Sequence, residues 1–151
     1  KGKGETITVN NKVVGYKLEG QHFSDDKYFW SRPSAAGYNA AGSSGSNKGP
    51  TNPAYLKQVQ DRADSFLVHN PGIKKDDIPS DLVTASGSGL DPDISVAAAK
   101  VQVKRIAAVR KMNAATIDAL IEKQIGQPLF GIMGTTRINV LALNIALDEL
   151  K

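Results

Sequence analysis

The feature that most constrains this chain is a long segment in its first half, SRPSAAGYNAAGSSGSNKGPTNP, residues 31–53. It holds five Ser, four Gly, three Pro and three Asn, with Tyr38 as its one aromatic residue. Such a composition opposes regular structure, and a loop of this length within a compact domain is either functional or disordered. It contains no acid, and Arg32 and Lys48 make it locally basic. A second irregular stretch covers 74–93 and ends in Ala85-Ser86-Gly87-Ser88-Gly89-Leu90-Asp91-Pro92-Asp93. Regular elements must therefore collect before, between and after these loops. The roughly 30 residues ahead of the first loop are too few for an independent core, so 1–151 reads as a single domain.

Strands are predicted at the front. Glu5–Val9 alternates, Asn10-Asn11 suits the positive φ of a tight turn, and Lys12–Leu18 returns. Tyr28-Phe29-Trp30 reads as a third short strand, and Leu82-Val83-Thr84 as a β-like fragment. Asn52-Pro53 is a helix start, with Leu56, Val59, Ala63 and Phe66 on one face and Asn70-Pro71-Gly72 as its stop. Ser95 is expected to cap a helix over 96–111, Asn113 a helix running through Gln124 to a stop at Gly126, and Asn139 a final helix over 140–150. The expected class is α+β: a small, mostly antiparallel sheet packed with three to four helices, carrying long Gly/Ser/Pro-rich loops.

Composition closes off much chemistry. With no Cys there is no thiol nucleophile, disulfide or thiolate metal site. His22 and His69 lack spaced partners. Lys plus Arg is 19 against 15 for Asp plus Glu, a net +4, too little to indicate nucleic acid. No apolar run approaches the ~20 residues of a membrane helix.

Motif tests fail in informative ways. In 42–49, Asn47 stands where a phosphate loop needs Gly, and Gly49 where it needs Ser or Thr. Asp91, Asp93 and Ser95 begin like a calcium loop, but Val96 and Gln102 occupy its sixth and twelfth positions. Asp93 or Ser95 is expected to cap the following helix rather than leave it open to phosphate. Ser88 lacks the frame of a nucleophile elbow, and a hydrolase would need it within about 3 Å of His22 or His69. Five basic residues and no acid lie between Ile94 and Ile117. Arg110, at the edge of the core, is expected to pair with a loop carboxylate such as Asp91. No catalytic set assembles, so an interaction domain is favoured over an enzyme.

The loops also carry a resemblance. Val14-Gly15 through Gly20-Gln21, Tyr28-Phe29-Trp30-Ser31-Arg32-Pro33-Ser34, Gly45-Ser46-Asn47-Lys48-Gly49-Pro50-Thr51-Asn52-Pro53, Ile78-Pro79 through Asp81–Pro92, Arg105 to Arg110 and Asn139–Asn144 closely resemble, in order, the KdpC family. These are the C subunits of Kdp ATP-driven potassium-uptake complexes, and the likeness spans about 13–148. It implies a non-catalytic accessory subunit beside a channel-like A subunit, a P-type ATPase B subunit and a small F peptide. The complex would use ATP, magnesium and potassium, with no cofactor in this domain and no nucleic acid partner. It also implies a single-pass membrane helix upstream of Lys1 and a cell-membrane location. The favoured role is docking of an extracytoplasmic domain at the potassium entrance. The alternative is a catalytic chaperone that raises the ATPase subunit's nucleotide affinity. Either way the contact loops are 31–53 and 84–93, with Arg32, Ser34, Ser46, Asn47, Lys48, Asn52, Ser86, Ser88 and Asp91 as candidate residues. The chain departs from the family at Asp93, where His is usual, at Val96, where Pro is usual, and at Thr135-Thr136, where a Gly-Glu-Pro-like turn is usual.

Overall fold

A computed structural model describes residues 4–42, 44–125 and 137–150. It is α+β. Strands β1 (Thr6–Val9) and β2 (Lys12–Tyr16) form an antiparallel hairpin with Val9 opposite Lys12 and Thr6 opposite Tyr16. The turn is Asn10-Asn11, with φ of 49° and 61°. Both values lie in the left-handed region that Asn tolerates and that hairpins of this twist require. Helix α1 (Pro53–His69) starts as expected, with Asn52 accepting from the Tyr55 amide at 3.1 Å and Pro at its first position.

The second sheet pairs β3 (Asp93–Ser95) with β4 (Arg137–Asn139), Ile94 facing Ile138. The sequence reading missed both strands. Each is three residues long and runs directly into a helix. Ser95 caps α2 (Val96–Lys100), accepting from the Ala98 amide, and Asn139 caps α5 (Val140–Asp148), accepting from the Ala142 amide. The two-stranded pair thus launches two helices from one edge. Between them lie α3 (Val103–Arg110) and α4 (Ala114–Ile125), the latter preceded by Asn113, whose side chain accepts from the Ala115 amide. The stop expected at Gly126 and the departure at Thr135-Thr136 fall outside the described residues.

The core lies among these helices. Ile94, Ile138, Ala98, Ala99, Val103 and Ile106 pack with Ile117, Leu120 and Ile121 of α4 and with Val140, Leu143 and Leu147 of α5. Phe29 and Phe66 close it from the loop side. Each large side chain so buried contributes about 1.5–3 kcal/mol.

Three expectations on local structure are corrected. The segment 96–111 is two helices, because Val101 and Gln102 tighten into a turn in which the Gln102 amide reaches back only to Ala99. The fully buried Gln102 side chain fixes that turn by donating to the Ala98 carbonyl at 2.9 Å. Leu82 belongs to a single 3-10 turn, Ser80–Leu82, and Val83 and Thr84 follow it without forming a strand. Tyr28–Trp30 is likewise no strand. Its peptide groups are paired as a strand's would be, but by side chains. Asn144 on α5 accepts from the Phe29 amide at 2.8 Å and donates to the Phe29 carbonyl at 3.0 Å. Gln102 accepts from the Trp30 amide at 2.7 Å. Buried peptide groups need partners, and here carboxamides supply them.

Candidate functional site

The two loops that stand out in the sequence meet in the fold. In the first, the Ser34 hydroxyl accepts from the Ala36 and Tyr38 amides and donates to the Gly89 carbonyl at 2.6 Å. The Ser86 amide donates to the Pro33 carbonyl at 3.4 Å. Arg32 reaches across to Asp91, Nη1 to Oδ2 at 2.7 Å, with both side chains largely buried. Glycines permit the approach. A Cβ on Gly45 would sit 2.8 Å from the Gly87 carbonyl oxygen, and one on Gly89 would sit 2.9 Å from the Ser44 carbonyl oxygen. Gly89 also has φ of 69°. The loops therefore interlock backbone against backbone, a contact closed to any residue with a side chain.

Asp91 is the hub of this assembly. Its Oδ2 also pairs with Arg137 at 3.2 Å, and its Oδ1 accepts from the Asp93 amide at 3.1 Å. The Gly20 amide donates to the neighbouring Leu90 carbonyl at 2.7 Å, and a Cβ there would lie 2.7 Å from the Asp91 carbonyl oxygen. Asp93, half-buried beside Asp91, has its carboxyl pushed above the usual range, by burial first and by the Asp91 charge second. Ser95 is held from the other side by Asp81, which accepts from its amide at 2.7 Å and its hydroxyl at 3.2 Å.

The fate of each expected residue follows. Arg32, Ser34, Ser86, Ser88 and Asp91 gather at the loop–loop contact. Ser86 is buried, and the Ser88 hydroxyl accepts from the Leu90 amide at 3.1 Å. Asn52 is the cap of α1. Ser46, Asn47 and Lys48 form the outer turn, where Asn47 takes φ of 48° and both Asn47 and Lys48 are exposed. Arg110 does not pair with Asp91. It binds Asp148 at 2.5 Å and the Lys27 carbonyl at 2.7 Å, since α5 brings its C-terminal carboxylate beside α3 while Arg32 and Arg137 hold Asp91. Lys100, on the basic helix face, pairs with Glu122 at 2.6 Å. His22 and His69 line one cleft, Ser88 is not among that cleft's residues, and His69 Nδ1 is held by Asp26 at 2.9 Å.

Arg105 is the residue that sequence reasoning overlooked. It is buried, and it donates to the Asp26 carbonyl (2.7 Å), the Tyr28 carbonyl (3.0 Å), the Asn70 side chain (3.0 Å) and the Gln102 side chain (2.7 Å). Its guanidinium also stacks 4.7 Å from the centroid of the Trp30 ring. Burial pulls its pKa down to about 10, against the Asp26 charge, so it stays cationic at neutral pH. Three of these four acceptors are backbone carbonyls or lie far away in sequence, and neither leaves a signature in composition or spacing.

The architecture is that of an α+β domain whose long loops are ordered by their own polar groups and by buried amides and a guanidinium. The family model for KdpC, described as the K+-transporting ATPase c chain, matches residues 1–149. A potassium-transporting ATPase KdpC subunit of Flavobacterium psychrophilum is 59% identical over 151 residues, covering 100% of this chain and 81% of that protein. The KdpC subunit of Bacteroides fragilis is 54% identical, covering 100% and 80%, and that of Paraburkholderia phytofirmans 49%, covering 98% and 78%. The chain belongs to the KdpC family of potassium-transporting ATPase subunits. Among the described residues no helix is long and apolar enough to cross a membrane.

Proposed function

We propose that this chain is an accessory subunit of an ATP-driven potassium-uptake complex, without catalytic chemistry of its own. It docks outside the cell on the channel-like subunit, at the potassium entrance. The relatives' names supply the complex, and the partner subunits, the membrane anchor and the orientation are part of the same reading. The observation that carries the docking role is the condition of the two Gly/Ser loops. The Ser34 hydroxyl, the Ser86 amide and the Arg32 charge are engaged with the facing loop and with Asp91. Loops held backbone against backbone in this way make a rigid platform, and the Arg32 cation is already committed to Asp91 rather than to a phosphate. What the platform presents outward is the Ser46-Asn47-Lys48 turn. Beside it in function stands the hairpin, where Val13, Val14, Tyr16 and Leu18 are exposed.

The rival role, a chaperone that contacts nucleotide, needs these loops on the cytoplasmic side. The chain contains no Cys, so Lys48→Cys creates a unique thiol. In the assembled complex in sealed, oriented vesicles, an impermeant maleimide added outside is expected to label it. Labelling only after the membrane is opened would overturn the docking role and favour the nucleotide one.

A further inference from the structure

Away from the interlocked loops, a cleft of about 810 Å³ opens between α1 and the segment 22–38. That is within the size range of small-molecule sites. Its floor is apolar: Trp30 packs edge-on to Phe66 with ring centroids 6.1 Å apart, and Leu82 and Pro33 adjoin. On one wall the His22 and Tyr38 rings lie 5.7 Å apart. On the other stands Arg62.

The charges in this cleft are unequal in their pairing. Asp61 is bound by Lys57 at 2.8 Å, and His69 by Asp26 at 2.9 Å. Arg62 donates one bond, to the Val83 carbonyl at 3.0 Å, and among the described residues no carboxylate lies within ion-pair distance of it. Its charge is felt across the cleft, where it opposes the burial that raises the Tyr38 hydroxyl's pKa. Among the described residues His22 makes no hydrogen bond, only its ring contact with Tyr38. A half-buried guanidinium without a counter-ion, above an aromatic floor, is arranged to receive one flat anion by a forked pair of hydrogen bonds.

We propose that this cleft binds a small organic monocarboxylate with a flat apolar body, its carboxylate on Arg62 and its body over Trp30. The charge count selects the class. One unpaired cation neutralises one carboxylate, whereas a polyphosphate would bring several charges to a cleft that also holds the Asp61 carboxylate. The cleft takes Ser31, Pro33, Ser34, Gly37 and Tyr38 from the first loop, on its α1 side, and no residue of the 84–93 loop.

Trp30 is the only Trp in the chain and lines this cleft, so its fluorescence serves as the probe. Benzoate and phenylacetate are titrated into the 151-residue chain, with benzyl alcohol and acetate as neutral and bodiless controls and Mg-ATP as the polyanion. The expected result is a saturable change with the aromatic carboxylates at millimolar concentration or below. Benzyl alcohol, acetate and Mg-ATP are each expected to bind at least about tenfold more weakly, as loss of one charge-assisted contact implies. Arg62→Gln should weaken benzoate about tenfold while leaving benzyl alcohol unchanged, and Arg62→Lys, which keeps the charge and loses the fork, should fall between. Far-UV circular dichroism and a urea midpoint establish that each variant is folded. If Arg62→Gln does not fold, the Arg62→Lys comparison and the amide shifts of Tyr38 and Arg62 in the native chain decide the matter. No saturable change, equal binding of benzyl alcohol, tighter binding of Mg-ATP, or an Arg62→Lys affinity equal to the native one would each overturn the proposal.

Discussion

The N-terminal hairpin and the Tyr28–Trp30 segment are opposites. The hairpin is regular in its backbone, with a paired ladder and a tight Asn-Asn turn, yet it exposes Val13 at 62% and Leu18 at 63%. Tyr28–Trp30 has no ladder, yet Phe29 is fully buried and every one of its backbone polar groups named above is held by Asn144, Gln102 or Arg105. Regular hydrogen bonding and contribution to the core are thus separate properties. A two-stranded hairpin is marginal by itself, and this one is tied to the body through few bonds, among them the Asn139 side chain to the Lys17 carbonyl at 3.0 Å and Gly20 to Leu90. The irregular segment is buried at Phe29 and fully engaged, and the regular one leaves apolar surface exposed.

Removing the guanidinium that holds the irregular segment is the strongest way to break this contrast. Arg105→Met is expected to lose about 3–5 kcal/mol, because it strands buried acceptors and leaves Asp26 with only His69. Urea unfolding monitored at Trp30 measures it, and a loss below about 1 kcal/mol would show that the segment does not depend on Arg105. Asn144→Leu keeps volume but unpairs the Phe29 amide and carbonyl, for an expected loss of about 2–3 kcal/mol by the same assay. Gly89→Ala tests the loop contact. Its φ of 69° and the Ser44 carbonyl 2.9 Å from the new Cβ should cost about 1–3 kcal/mol.

Asp93 sharpens the picture through pH. A carboxyl whose pKa is higher folded than unfolded holds its proton more tightly in the folded state, so its penalty grows as pH rises through that range and vanishes in acid. Asp93→Asn should therefore stabilise the domain at neutral pH, with the gain fading as pH falls below the ordinary carboxylate range. Thermal melts across acid to neutral pH measure it, and a gain independent of pH would contradict the burial of that charge. The smallest stability effect belongs to the hairpin. Val13→Ser with Leu18→Ser should change folding by no more than about 0.5 kcal/mol per site while reducing recovery of the chain with its complex. A large loss of stability would show that this surface is part of the domain's own core.

What could be read from the sequence and what could not divides along the same line. The Asn10-Asn11 turn, the Asn52-Pro53 start of α1 and the caps Ser95 and Asn139 were legible because the chemistry is contained within a few residues. β3 and β4 were not, since each is three residues long and its partner lies more than forty positions away. Tyr28–Trp30 looked like a strand because its residues suit an extended backbone, and it is in effect paired as one, but by the side chains of α5 and of the turn between α2 and α3. Composition picked out both Gly/Ser loops. Their mutual contact stayed hidden, because Gly45 against Gly87 and Gly89 against Ser44 depend on backbone approach that no spacing rule encodes. The need of a half-buried Arg110 for a counter-ion is legible, but its identity is not: a loop carboxylate such as Asp91 is the expectation, whereas α5 delivers Asp148 from the far end of the chain.

The docking role rests on Arg32, Ser34 and Ser86 being committed to the contact between the two Gly/Ser loops. An amide NMR titration of this chain with Mg-ATP tests that most directly. The account predicts no shifts beyond those of a salt control at residues 44–49 and 84–91. Saturable shifts confined to those residues would contradict it and establish direct nucleotide contact by the loops.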